Sequence, residues 1–85
     1  MRPSALLARL LAGTVTKVTF VDAQRLVEAL GFELLRASGS HHVYAHDGLA
    51  ELVLLQDRNG QAKPYQLRQL TTLVRRYDLR LEDNR

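Results

Sequence analysis

The chain of 85 residues contains no cysteine, which excludes a disulfide framework and any metal site built on thiolates. No apolar run approaches the length that crosses a membrane, and the short run at residues 5–8 is interrupted by Arg9. Because this run is also too short for a secretory signal, it predicts a short amphipathic helix. A chain without cysteine suits a reducing compartment, and we expect a cytoplasmic protein.

The composition and length of the chain predict one small globular domain. Hydrophobic residues make up 46% of the chain, which argues against disorder, and 85 residues are too few for two domains. Twelve basic residues outnumber nine acidic ones, and the net charge of +3 favours a polyanion such as nucleic acid as the partner. We expect no bound cofactor.

The first twenty residues predict a short helix followed by a strand. A leucine stripe predicts a helix over residues 4–11, with Ser4 as its N-cap and Gly13 at its end. This stripe either covers the domain's own core or contacts a partner protein. Alternating apolar and polar residues then predict a strand over 14–20.

The central part of the chain predicts a second helix and three strands. Asp22 marks the start of the helix and Gly31 marks its end. The strands are predicted at 32–36, 41–46 and 51–56. The turns between them are too short for the crossover that a parallel pair needs, so the strands are expected to be antiparallel.

A last helix is predicted to begin at Pro64, because proline suits the first helical position. Its core-facing stripe is predicted to consist of Leu67, Leu70, Val74 and Tyr77. Helices on either side of a run of strands indicate an α+β domain with the α-β-β-β-α order of the double-stranded RNA-binding domain (dsRBD). We expect a helical N-terminal extension at 1–18, the domain itself at 19–80 and a frayed tail at 81–85.

The segment Gly39-Ser40-His41-His42 puts two histidines directly after a small, flexible turn. Histidine exchanges protons near neutral pH, and beside a turn it can be presented to a ligand instead of being buried. In a small basic domain this favours phosphate chemistry, with RNA as the source of the phosphate. RNA carries its own nucleophile, the 2′-hydroxyl, so one positioned histidine can act as general acid or base without a metal.

A wider pattern surrounds this segment. Gly31-Phe32, Arg36 and the block from Gly39 to Tyr44, followed by a turn, an apolar strand and a helix, resemble the HicA (YcfA-like) toxins over residues 20–77. The resemblance implies a dsRBD-like fold and the activity of an mRNA interferase, the toxin of a type II toxin–antitoxin module. It also implies a HicB-like antitoxin as partner, and an oligomer of the chain itself or with that antitoxin.

The resemblance assigns the catalytic role to the histidine that follows the Gly-Ser pair, which is His41. Ser40 and Arg36 beside it, together with Lys63 and Arg68 near the last helix, are the expected contacts to RNA phosphate. Arginine offers a two-pronged donor and lysine a point charge. Lys63 also precedes Pro64 at a helix N-terminus, where free backbone N–H groups favour anions.

His42 follows His41 in an extended strand, so the two side chains point to opposite faces. We therefore assign His42 a structural role and expect it to share a face with Tyr44 and His46. Tyr44 is expected in the core rather than stacked on a base. A metal site built from His41, His42 and His46 is an alternative that the opposite orientation of His41 disfavours. His42 and His46 with a carboxylate such as Asp47 could bind zinc, but typical zinc sites have ligands that converge more cleanly.

Two other functions remain open. Many HicA toxins carry a Pro-x-His element at the end of the third strand, where this chain has Leu55-Gln56-Asp57. Without that second histidine, the chain could be a non-catalytic RNA-binding module, since this fold binds duplex RNA through shape and backbone contacts alone. It could also be a protein-interaction subunit whose basic face is incidental.

Overall fold

The structure, a computed structural model, describes residues 1–82. Its helices are α1 (Pro3–Ala12), α2 (Phe20–Ala29) and α3 (Pro64–Tyr77), and its strands are β1 (Glu33–Ser38), β2 (His41–Ala45), β3 (Val53–Arg58) and β4 (Gln61–Ala62). The strands form one antiparallel sheet in the order β1-β2-β3-β4. The predicted α+β class and its α-β-β-β-α order are confirmed, and β4 is a short additional strand.

The turn between β3 and β4 creates this additional strand. Asn59 and Gly60 have φ values of 55° and 85°. A two-residue hairpin turn of this kind needs positive φ at both central positions, and Asn-Gly adopts it readily. The chain therefore reverses at once, and Arg58 pairs with Gln61.

The prediction of a strand over 14–20 is wrong. Thr19 makes only an isolated bridge with β4, and the residues before it form no ladder. Thr19 is instead the N-cap of α2, since its side-chain oxygen accepts the backbone N–H of Asp22 at 3.1 Å. The helix begins at Phe20. Val18 and Phe20 are both buried, which accounts for the alternating pattern without a strand.

Helix α1 begins at Pro3, two residues before the start that a cap at Ser4 predicts. Pro3 lies in its first turn, Arg2 occupies the N-cap position, and no side chain caps the helix, so the assignment of Ser4 as N-cap is wrong. The physical reason is that proline has no N–H to be capped and its φ is already close to helical. Gly13 ends the helix as predicted, with a φ of 74°.

The leucine stripe of α1 is divided between the core and the surface. Leu6 is only 1% exposed and belongs to the core, Leu7 and Leu10 pack partly against it, and Leu11 is exposed. Helix α1 contacts α2 and α3, so it extends the helical side of the domain. Full burial of one leucine stabilises a fold by about 1.5–3 kcal/mol, so α1 contributes to the stability of the whole domain.

The main core lies between the sheet and helices α2 and α3. Leu55 of β3 and Leu70 of α3 are each 1% exposed, and Tyr44 of β2 is fully buried as predicted. Gln24 Nε2 of α2 donates a hydrogen bond to the Tyr44 hydroxyl at 3.1 Å. Burial is the main cause that raises the pKa of Tyr44 above its ordinary value. The side chain of Tyr44 therefore stays protonated and joins the sheet to α2.

Tyr77 is a correction to the predicted core-facing stripe, because its side chain is 41% exposed. Its hydroxyl lies 2.8 and 2.7 Å from the two carboxylate oxygens of Glu51, and Arg76 Nη1 lies 3.2 Å from the same group. The hydrogen bond from Tyr77 is the main cause that lowers the pKa of Glu51. The last turn of α3 thus reaches past the core to the loop between β2 and β3, where the Tyr77 hydroxyl binds Glu51 instead of being buried.

The predicted frayed tail begins inside the described residues and continues beyond them. Leu81 packs partly against the core, and the Glu82 backbone N–H donates to the Ala29 carbonyl at 2.7 Å. The rest of the predicted tail, 83–85, lies outside the described residues. Within residues 1–82, no helix is both long and apolar enough to cross a membrane.

A substitution at Gly31 directly tests the packing of Glu82 and His46 around the end of α2. Its φ is +97°, and a Cβ there would lie 2.8 Å from the Glu82 carboxylate and 3.1 Å from His46 Nε2, whereas a Cβ at Gly13 would meet nothing within 4 Å. We expect Gly13→Ala to lower the free energy of unfolding by about 1 kcal/mol through backbone strain alone. Gly31→Ala also forces the His46 ring to shift, whereas the exposed Glu82 carboxylate can swing away, and should cost about 2 kcal/mol. Urea denaturation measures both, and equal losses would contradict the described packing around Gly31.

Candidate functional site

The two faces of the sheet have different surroundings. Helix α2 packs on one face, where the rings of Phe20 and His42 meet edge to face with centroids 4.8 Å apart. Tyr44, two residues further along β2, points to the same side and reaches α2. Because side chains alternate along a strand, His41 and Val43 point to the opposite side. We call that side the open face, and His41 is exposed on it.

The register of the sheet places four residues in one row across the open face. Ser38 of β1 lies opposite His41, and His41 lies opposite Gln56 of β3. In the β3–β4 hairpin, Asp57 pairs with Ala62. Continuing this register by one residue puts Lys63 opposite Gln56, and Lys63 still has extended backbone angles. We call the set Ser38, His41, Gln56 and Lys63 the His41 row.

The pairing of His41 with Gln56 is the close type of antiparallel pair. The backbone N–H of Asp57 donates to the Ser40 carbonyl at 2.9 Å, so the hydrogen bonds of the ladder flank the His41–Gln56 pair. In such a pair the two Cα atoms are about 4.5 Å apart and the side chains are near neighbours. The Gln56 side chain therefore lies beside the imidazole of His41. The Gln56 backbone N–H points the other way, toward α3.

Gln66 of α3 receives that N–H. Its side-chain oxygen accepts the Gln56 backbone N–H at 2.7 Å, at the point where the ladder between β3 and β4 has ended. Gln66 is 5% exposed, which makes it one of the few buried polar side chains of the described structure. It supplies the acceptor that a longer β4 would have supplied, because a buried N–H without a partner is unfavourable. This contact attaches α3 to the strand that carries Gln56.

Arg36 lies on the open face because the two-residue turn before His41 fixes its register. Counting back from that turn, Arg36 pairs with Val43. A β-bulge lies beyond this pair and shifts the register only from Leu34, which pairs with Tyr44. Arg36 therefore shares the face of His41 and stands beside the His41 row.

The other two predicted phosphate contacts have different positions. Ser40 lies in the turn directly before His41, and its carbonyl is used by the ladder. Arg68 follows Gln66 by two residues, which is about 200° around a helix. Because Gln66 faces β3, Arg68 faces away from it, and it lines a groove with Leu10 and Arg75. The structure therefore groups His41, Lys63, Arg36 and Ser40, and it separates Arg68 from them.

His42 and His46 both pack on the helical side. The Nδ1 atom of His42 is buried and has no hydrogen-bond partner within residues 1–82. His46 Nδ1 accepts the backbone N–H of Gly48 at 2.9 Å, and its ring lies edge to face on Phe32 at 5.1 Å. His41 is on the opposite face from both. Among the described residues, no group of three or more histidines or carboxylates could hold a metal ion.

The His41 row combines a titratable ring with a cation and two neutral polar groups. Lys63 Nζ lies 5.8 Å from the centre of the Tyr65 ring, within the range of a cation–π contact. No carboxylate belongs to the row. An imidazole with a lysine and an arginine nearby can move a proton and balance negative charge on a phosphate.

Sequence reasoning missed Gln56 and Ser38 as members of this row. The signal for Gln56 was present in the Asn59-Gly60 dipeptide, because a two-residue hairpin there pairs residue 56 with Lys63. Ser38 follows in the same way from the two-residue turn before His41. The pairing of His41 with Gln56 crosses a longer loop, and no turn dipeptide specifies it.

A three-stranded antiparallel core with a helix before it and a helix after it, both on one face, is a small domain of dsRBD-like fold. The family model for HicA toxin of bacterial toxin–antitoxin matches residues 21–76, from the start of α2 to the last turn of α3. The chain therefore belongs to the HicA toxin family. No curated protein and no solved structure matches it. Helix α1 lies before the matched segment.

The contact between Gln66 and β3 gives a stability prediction. Gln66→Leu keeps a similar volume but leaves the partly buried N–H of Gln56 without an acceptor. We expect the free energy of unfolding to fall by about 1–3 kcal/mol. The control is Gln69→Leu on the exposed side of the same helix, for which we expect a change within about 0.5 kcal/mol. Urea unfolding of both variants measures the difference, and similar stabilities would contradict the role of Gln66.

Proposed function

We propose that this toxin is a metal-independent endoribonuclease that cleaves mRNA, with His41 as its general acid/base. The observation that carries the proposal is the exposed imidazole of His41 in one row with Lys63, beside Arg36, on the open face. Membership of the HicA toxin family supports the choice of RNA as substrate. An mRNA substrate also implies that the protein acts in the cytoplasm.

The proposed reaction needs one proton acceptor and two cations. His41 takes the proton of a ribose 2′-hydroxyl, and the resulting oxygen attacks the adjacent phosphorus. The bond from phosphorus to the 5′-oxygen breaks, and that oxygen leaves with a proton from solvent. The products are a 2′,3′-cyclic phosphate and a 5′-hydroxyl. One positioned general base contributes roughly 10²- to 10⁴-fold to such a rate.

The neighbours of His41 would stabilise the charge that develops on the phosphate. Lys63 lies in the same row on the far side of β3. Arg36 on β1 pairs with Val43, which follows His41 by two residues on the same face. Positive groups fixed in advance beside a developing negative charge lower the barrier without reorganising. Ser40, in the turn before His41, completes the proposed set of phosphate contacts. A phosphate contact by Arg68 would fall on the opposite side of α3, outside the cleavage site.

We further propose that a HicB-like antitoxin inhibits the toxin by covering the open face. Leu52 is 45% exposed and Leu54, which pairs with Val43 on that face, is 48% exposed. Exposed apolar side chains next to polar ones are typical of protein interfaces. A partner that binds these leucines would also cover His41.

A non-catalytic RNA-binding module is the second candidate, and one observation favours it. His41 is the only histidine of the His41 row, so the row offers no second histidine to protonate the leaving oxygen. Such a module would bind RNA with a steep dependence on salt and release it uncut.

The decisive experiment is RNA cleavage by the purified protein in excess EDTA, with His41→Ala alongside. We expect the wild type to cleave and the variant to lose at least about 100-fold in rate, because the general base is gone. Circular dichroism should show the same fold for both, since His41 is exposed. Equal cleavage by both proteins would contradict the role of His41. RNA binding without cleavage by either protein would establish the binding module instead.

A further inference from the structure

Gln56 occupies the centre of the His41 row, between the proposed base and the proposed cation. His41 lies opposite it on β2, and Lys63, the extended residue directly after β4, lies on its other side, one residue beyond the last pair of the β3–β4 ladder. Neighbouring strands are about 4.8 Å apart, so His41 and Lys63 are about 10 Å apart at the backbone. A phosphate group that both side chains contact would lie directly over Gln56.

The backbone of Gln56 is fixed from both sides. Its own N–H is held by the buried side chain of Gln66 at 2.7 Å, and the next N–H, of Asp57, is held by the Ser40 carbonyl at 2.9 Å. A side chain on such a backbone starts from a defined position, and groups that are held in advance bind a ligand at a lower cost in entropy.

The side-chain amide of Gln56 is still free to bind. It makes no hydrogen bond to any other group within residues 1–82, although the residue is only partly exposed. An amide NH₂ offers two donors, and phosphate oxygens accept hydrogen bonds strongly. The amide is also neutral, so it adds a donor without repelling the phosphate, as a carboxylate would.

We propose that Gln56 Nε2 donates a hydrogen bond to a non-bridging oxygen of the scissile phosphate and holds that group between His41 and Lys63. The inference rests on the proposed function and deepens it, because it names a further residue that touches the RNA. Gln56 thereby positions the phosphate for attack, while His41 moves the proton and Lys63 supplies the charge.

The test separates a neutral donor from a charged contact. RNA with 2′-O-methyl groups at every position cannot be cut, and its dissociation constant is measured over a range of salt concentrations. We expect Gln56→Ala to weaken binding about tenfold, in line with the loss of one hydrogen bond to a charged group. The salt dependence should stay unchanged. Lys63→Ala should weaken binding and also lower the salt slope by about 0.7, because one cation is lost.

Two controls exclude an indirect effect. Gln56→Glu keeps the shape but replaces the donor by a carboxylate, and we expect binding to fall further than in Gln56→Ala. Gln69→Glu carries the same charge change on the exposed side of α3 and should bind nearly as the wild type does. The Gln56 variants should unfold at nearly the same urea concentration as the wild type, since the Gln56 side chain makes no hydrogen bond within residues 1–82.

The outcomes distinguish this inference from the proposed function. If Gln56→Ala binds and cleaves like the wild type, the inference is wrong, while cleavage that depends on His41 would still stand. If binding depends on Gln56 but the wild type cuts no RNA, the phosphate contact is supported and the nuclease is not. If the uncut RNA does not bind the wild type, the inference fails, and if the wild type also cuts no ordinary RNA in EDTA, the proposed function fails with it.

Discussion

Successive side chains of a strand point to opposite faces, so β2 cannot direct both His41 and His42 to the same surroundings. Helix α2 occupies one face and packs Phe20 against His42. His41 is therefore left on the open face, whatever its neighbours are. The residues opposite it in the sheet point to the same face, and for that reason Ser38 and Gln56 form one row with it. Every part of the proposed site depends on this separation of the two histidines.

Turn residues, helix-end residues and strand alternation made much of the fold and part of the site predictable from the sequence. Glycines and prolines at turns and helix ends marked the elements from Gly31 to Pro64, and strand alternation separated His41 from His42. The Asn59-Gly60 turn carries further information, because it implies both β4 and the position of Lys63 beside Gln56. All these features are determined by residues close together in the chain.

Features that depend on distant contacts were not predictable. The bulge that shifts Leu34 against β2 depends on how the two strands fit together, and nothing in the sequence of β1 requires it. Whether Tyr77 is buried depends on where the core ends, which helical spacing does not reveal. Arg68 is near Lys63 in sequence, but the contact of Gln66 with β3 rotates it to the far side of α3. Thr19 likewise ends the predicted strand only because it caps α2.

The 2′-hydroxyl of the RNA is the nucleophile in the proposed reaction, and His41 is the base that activates it. A single 2′-deoxynucleotide, placed on the 5′ side of a bond that the protein cuts in EDTA, tests this directly. We expect cleavage at that bond to disappear while other bonds are still cut, and the ordinary products to end in a 2′,3′-cyclic phosphate and a 5′-hydroxyl. Cleavage of the deoxy-substituted bond at the unmodified rate would contradict the role of the 2′-hydroxyl, and with it the role of His41 as its base.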